Sequence, residues 1–573
     1  MSRFQAGLIG VAAKGPFNTP TRVRSIRDFQ RTFGAPVVTT FTDKNPDGRG
    51  YYLADAVGIV SAISDGLTVV RVGSQYTPLS GAAATGTGTT LSTSKAAQLS
   101  HGMYLRVKQP GLPSSVNVRV TAIENSGAGP NVTVSPALSA SYTGGSATVD
   151  YSLDEGAANN AESVLYGYDY ATVATSGTVT GNKSAFTFNL NNGTFGDLVA
   201  GDVFKVVQDG KATTHEVRVK RVINASPLQV ELEPTNNTKV GYQALPLQDT
   251  YTNGRLFKVN TGSNGLITTW ALTALTAGTW ANGSDSKTGL YVGVRPGSKP
   301  GTKRLDVYEN SALVESFDGL SEDADSADYY TTRINGVSQY FTIAARTDGH
   351  AANTANPWSA AYQVQALNPS GDEPKSMPFG AINHGADSGT HGSFALGYDG
   401  LSATDADFIG TEQADGTLTG IKAFSDTDNI TVDVLAAPMD EISPAIAQEL
   451  GRVARSINAI ALVDVPSGLN AREATDWHNG EHPSYPDQGR IDSANVAFYW
   501  NWFQVADRFS ASVNALKWVP PTLGALRCLA STFDTSKPWF AAAGETRGLI
   551  TEALQVEVPD RKSTRLNSSH VSE

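Results

Sequence analysis

The residues best suited to chemistry by type and spacing are His478, Glu481 and His482, in the stretch "HNGEH". Their order, H-x-x-E-H, is that of inverted zinc peptidases, whose two histidines must share one helical face. The spacing is right, but the context is against it. Asn479-Gly480 is a turn dipeptide inside the pattern, and Pro483 disfavours an α conformation at His482. The surroundings, "DWHNGEHPSYPDQGR", read as a polar loop that gives the imidazoles no common face. An enzyme reading would rest on this stretch alone.

Other polar groups fall short in the same way. Asp464 and Ser467 in "DVPSGLN" follow a predicted strand, at the edge where parallel α/β sheets hold ligands. The stretch is not a G-x-S-x-G elbow, and no histidine is placed to complete a triad. "GYDG" (Gly397 to Gly400) and "SDTDN" (Ser425 to Asn429) offer carboxylates to a hard cation, but without the spacing of a calcium loop they read as turns and caps. No P-loop and no G-x-G-x-x-G is present. The expectation is a protein with no catalytic residue, no metal and no cofactor.

Composition narrows the classes further. The chain has 573 residues, a formal net charge of −12, 17% charged and 40% hydrophobic residues. That is enough apolar surface for three or four domains with real cores, and too little charge for general disorder. An acidic chain is a poor partner for nucleic acid, because nothing neutralises the phosphates. The locally basic stretch Arg22 to Arg31 reads as a solvated face or a protein contact. One cysteine, Cys528, excludes a disulfide framework and a cysteine zinc cluster. No apolar run reaches the length of a membrane span, and Met1 to Gly10 lacks the pattern of a signal peptide, so folding in a cytoplasm is expected.

The elements are legible at both ends of the chain. "AGLIGVAA" (Ala6 to Ala13) is a buried strand stopped by Gly15-Pro16. Ser25 caps a helix over Ile26–Phe33, with Asp28 in its first turn and Gly34 closing it. A second helix fits Leu53 to Ile63, and "LTVVRV" (Leu67 to Val72) is a β-branched strand. Further on, "NITVDVLAAP" (Asn429 to Pro438) is a nearly continuous apolar strand. A helix over Ser443–Ser456 with Pro444 in its first turn and the strand "AIALVDVP" (Ala459 to Pro466) follow. Strand, helix and strand make a βαβ unit, hence a parallel sheet with a right-handed crossover.

Between these ends the style changes. From Gly73 to about Thr261 the chain is rich in Gly, Ser, Thr, Asn and Val, with short alternating strands. Leu99, Gly102, Val107, Gln109, Gly111, Val118, Val120 and Ile123 correspond to Leu198, Gly201, Val206, Gln208, Gly210, Val217, Val219 and Val222, each pair offset by 99. The offset predicts two tandem copies of a small β-barrel or sandwich, over about 90–140 and 185–240. Beyond it, strand Gly289 to Val294 and a hairpin of Arg304–Tyr308 and Leu313–Phe317 are expected.

These residues together resemble a known family. "GLIGVAAKGPFNTPTRVRSIRDFQRTFGAP", "YYLADAV", "DGLTVVRV", "GTWANG", "LDVYENSALVESFDGLSED", "INGVSQY", "GIKAFSDTDNITVDVLAAP", "AIALVDVP", "VAFYWNW", "KWVPPTLGALRCLASTFD" and "KPWFAAAGETRG" occur in the order of matching stretches in contractile-tail sheath proteins of myovirus-type bacteriophages and related injection machines. The resemblance spans most of 6–72 and 262–558. It implies an α+β and α/β multidomain chain: N-terminal sheath core 1–73, an inserted β-rich region 74–262, a middle β-rich domain 263–400, an α/β core domain 401–558, and a tail 559–573 that reads as non-native. It also implies a structural subunit of the virion, assembled in the host cytoplasm into six-fold rings around a tail tube. Its partners would be copies of itself, the tail tube protein, and baseplate and tail terminator proteins, with no nucleic acid and no membrane span. Against the family pattern, an opening "PGVY…E"-like arm and a long region after Pro559 are missing from the sequence. An alternative keeps the tandem β-units as adhesins for a host-surface glycan.

Overall fold

The structure is a computed structural model. It describes residues 4–37, 49–61, 66–79, 84–109, 114–126, 129–172, 178–181, 187–191, 203–207, 217–225, 228–233, 251–259, 266–283, 289–296, 298–299, 302–310, 312–321, 325–345, 362–364, 394, 396–485, 490–510, 512, 514–537 and 539–559. The fold is mixed α/β, with several sheets and a few helices. Of the expected tail, 559–573, all but Pro559 lies outside the described residues. The chain divides into two units: residues 1–75, 154–159 and 398–573 form the first, and 76–153 and 160–397 the second.

The first unit is built on a six-stranded sheet. Its strands are β1 (Ala6–Gly10), β2 (Thr21–Val23), β3 (Leu67–Arg71), β4 (Val434–Ala436), β5 (Ile460–Asp464) and β6 (Val496–Tyr499), in the order β2-β3-β1-β4-β5-β6. All pairs are parallel except the antiparallel edge strand β2. The first strand is therefore a central one, bonded to β3 on one side and to β4, more than four hundred residues later, on the other.

Side-chain alternation splits the sheet into two dry faces. Leu8, Val69, Val434, Ala436 and Leu462 point to one, with α1 (Ile26–Phe33), α2 (Leu53–Val60) and α6 (Pro521–Thr535) packed there through Phe29, Phe33, Val57, Leu523 and Leu526. Ile9, Val70, Leu435, Ala461 and Val463 point to the other. It is covered by α3 (Asp405–Ile409), the 3₁₀ turn Gly420–Ser425, α4 (Pro444–Ser456) and α5 (Ala471–Asn479). Gly7 is required where β1 passes beneath this second layer, because a Cβ there would lie 2.7 Å from Leu435 Cδ2 and 2.7 Å from Phe424 Cε1. The strand expected over Asn429–Pro438 is shorter, Val434–Ala436: Ile430 N–H turns back to the Asp426 carbonyl instead of pairing in the sheet. A small sheet of β7 (Phe503–Ala506), β8 (Leu516–Val519) and β9 (Gln555–Val556), ordered β8-β7-β9, completes the unit, with the short α7 (Gly544–Arg547) before its last strand.

The second unit is almost all β. Strands Ala84–Thr87, Thr90–Thr93, Gly129–Ser135, Ser115–Ser126, Tyr104–Lys108 and Tyr142–Ser152 neighbour one another in that order and close into a barrel, because the last pairs with the first. Leu91, Leu105, Val107, Val118, Val120, Val132 and Tyr142 fill it. Strands Thr178–Gly181, Thr187–Asn191, Leu228–Glu233, Val217–Ala225, Val203–Val207 and Tyr251–Val259 repeat that order and that closure. The register repeats too. Tyr104↔Arg119 and Leu105↔Val118 recur as Val203↔Arg218 and Phe204↔Val217, and the ladder is irregular between 120 and 122 and again between 219 and 221. The remainder packs Asn160–Thr172, Leu266–Ala277 and Phe341–Ala345 with a meander of Leu290–Pro296, Lys303–Glu309 and Ala312–Leu320, around Trp270 stacked on Tyr330 at 4.4 Å.

Candidate functional site

The H-x-x-E-H stretch is partly helical, which corrects the polar-loop expectation. Helix α5 runs over Ala471–Asn479, with Asn470 and Glu473 forming a reciprocal capping box, and His478 sits in its last turn. Gly480 then adopts φ 75°, the left-handed geometry that ends helices. The turn dipeptide therefore separates the histidines as expected. His478 packs edge-on against Phe498 at 4.8 Å, whereas His482 lies against Tyr485 at 5.2 Å and accepts at Nδ1 from Ser484 N–H at 3.2 Å. Among the described residues, no three His, Cys, Asp or Glu side chains gather as a metal site.

Asp464 ends β5 at the ligand edge of the sheet, but it is sealed. Only 2% exposed, it accepts from Thr522 N–H at 2.8 Å and Thr522 Oγ1 at 2.7 Å. Helix α6 opens with Pro520-Pro521 and has no side-chain cap of its own, so Asp464 supplies the missing acceptor from another element. Burial pushes its carboxyl up to about 8, and the two bonds from Thr522 pull part of the way back. Ser467, half-buried, follows in the loop. The site is a structural one: a general acid needs access to a substrate, and Asp464 has none.

A second buried group is Asp55 on α2, whose carboxylate receives Lys517 Nζ at 2.5 Å with both residues buried. Burial raises the Asp55 carboxyl, and the lysine opposes that. Tyr52 lies beside them, its ring 5.4 Å from Lys517 Nζ and edge-on to Trp502 at 5.5 Å. Burial, and then the nearby Asp440, Asp55 and Asp464 charges, raise its phenol far above the ordinary value. A cavity of about 240 Å³ opens beside Asp55, between Ile59, Val505, Arg508 and Phe509. Of its polar lining, Asp55 is met by Lys517, Arg508 donates to the Gly58 carbonyl and Glu552 pairs with Arg527.

Arg71 at the end of β3 is fully buried. It donates to the Gly15 and Asp399 carbonyls, each at 2.8 Å, and lies 3.9 Å over the Phe17 ring. Burial lowers its guanidinium to about 9, so it keeps its charge at neutral pH. The "GYDG" segment thus contributes a backbone carbonyl, and in "SDTDN" Asp426 accepts from Asn429 Nδ2 at 2.9 Å within its own turn. Thr522, Lys517 and Arg71 were not singled out by sequence. The signals were faint: a Pro-Pro helix start without a cap, and lone cations in otherwise apolar strands.

The chain is similar to two solved structures, a sheath tail protein from Listeria innocua and one from Desulfitobacterium hafniense. Identity is 7% and TM-score 0.33 in both cases; the match covers 94% of this chain and 57% of the former, 93% and 59% of the latter. The chain thus spans less than two thirds of either protein's length. No protein-family model matches it, and no curated protein does. No described helix is long and apolar enough to cross a membrane.

Proposed function

We propose that this protein is a non-enzymatic structural subunit of a contractile tail sheath. It packs with copies of itself in six-fold rings around a tail tube, and contraction of that lattice drives the tube through a host envelope. The observation that carries the reading is the placement of the sheath-like stretches. "AGLIG", "LTVVR", "VLA" and "IALVD", drawn from both ends of the sequence, are neighbouring, mutually parallel strands of one sheet. Buried polar groups support the same reading. Asp464, Asp55 and Arg71 each hold two parts of the fold together. The tail tube, baseplate and terminator proteins are the partners this function requires, and the virion tail is its place.

The adhesin reading draws little from the barrels. Tyr104 of the first corresponds to Val203 of the second, so that aromatic position is not shared by the copies. Electron microscopy of the full chain co-produced with its tube protein tests the proposal. Ring-based tubes surrounding a core are expected, and a chain that stays unassembled with that partner overturns it.

A further inference from the structure

The basic stretch singled out in the sequence forms an exposed face of one charge. Arg22 on β2, Arg24 before the helix, and Arg27 and Arg31 on α1 are all exposed, and Asp28, paired with Arg31 at 2.9 Å, is the one acid between 21 and 35. Charges on an edge strand discourage stray pairing, which accounts for Arg22. It does not account for Arg27 and Arg31, one turn apart on a helix whose inner side, Phe29 and Phe33, is already satisfied by the core. All four cations are arginine, the basic residue enriched at protein interfaces.

The opposite face of the same sheet carries the complement. Residues 404–429 hold six acids and one lysine, and Glu412, Asp415 and Asp428 are exposed. This segment packs through Phe408, Ile421 and Phe424 on the far side of the sheet from Phe29 and Phe33, so the two faces point away from each other. Opposite charges on opposite faces cannot neutralise each other within one molecule. They can do so between molecules, head to tail.

We infer that the Arg22–Arg31 face docks on the Glu412–Asp428 face of a second copy of this chain, a heterologous contact that propagates as a ring or filament. The contact deepens the sheath reading by naming a surface for self-association. Sedimentation of the full chain over a concentration series, at low and at high salt, tests it. The wild type associates at low salt and dissociates as salt screens the contact. Arg27→Glu with Arg31→Glu weakens association by about tenfold or more without changing the melting temperature, and adding Glu412→Lys and Asp415→Lys restores it. A wild type that stays monomeric at low salt, or a charge-reversed pair that associates like the wild type, overturns the contact and leaves the sheath reading standing. Duplex DNA bound through these arginines, with self-association unaffected by the reversals, assigns the face to nucleic acid and overturns it as well. Loss on reversal and rescue by the swap, in a chain that never forms tubes around its tube protein, upholds the contact and overturns the sheath reading.

Discussion

At the scale of residues, the buried charges set the measurable behaviour. Lys517→Met leaves Asp55 enclosed without its cation, a loss of about 3–5 kcal/mol, whereas Lys517→Met with Asp55→Leu recovers most of it. Urea midpoints of the two variants make the comparison. Asp464 gives a pH signature. Its folded-state value, about 8, lies above that of an exposed carboxyl, so its contribution is present at acid pH and is lost as pH rises through that value. Asp464→Asn keeps an acceptor for Thr522 N–H and does not titrate. The melting temperature of the variant minus that of the wild type therefore grows from pH 5 to pH 9, and a constant difference would contradict the assignment. The position of Asp464 at a strand end was legible in the sequence. Its partner, 58 residues on, was not, because no local pattern announces a cap supplied by another element.

At the scale of elements, what could be read was what local chemistry dictates. Ser25 Oγ accepts from Asp28 N–H and Gly34 takes φ 85°, as the cap and stop signals around Ile26–Phe33 imply. Helix α5 was missed because only Ala474 and Trp477 of its nine residues are buried, too few for an apolar period, although Asn470 and Glu473 carried the capping signal. The two barrels share strand order as well as register. Within the first unit the segments on either side of residues 76–153 are joined: Ala158 N–H reaches the Ser74 carbonyl at 2.6 Å, and Ser74 Oγ meets the Asp154 carboxylate. Ends that close tolerate removal of what lies between them. Joining Gln75 to Asp154 through a short glycine linker should leave the first unit folded, with hydrogen exchange in β1, β3 and β4 unchanged. Faster exchange there would show that the barrel supports the sheet. Gly7→Val should cost about 1–3 kcal/mol by forcing Leu435 and Phe424 aside, read as a lowered melting temperature.

At the scale of the molecule, sequence reading stopped at long-range pairing. A parallel sheet was implied by the βαβ pattern near the C-terminal end. That Ala6–Gly10 is the strand completing it could not be read from periodicity, because every candidate partner looks equally apolar. The central place of that strand has a consequence in time. Gln5 N–H and β1 bond to residues 433–436, so at ordinary synthesis rates the first strand leaves the ribosome roughly 20 to 90 seconds before its neighbour exists. Until then the nascent chain offers β1 with one side bare, and α1, which packs into the core that β4 and α6 later complete, has no settled seat. A chain made this way can close the middle of its sheet only once residues 433–436 have been translated.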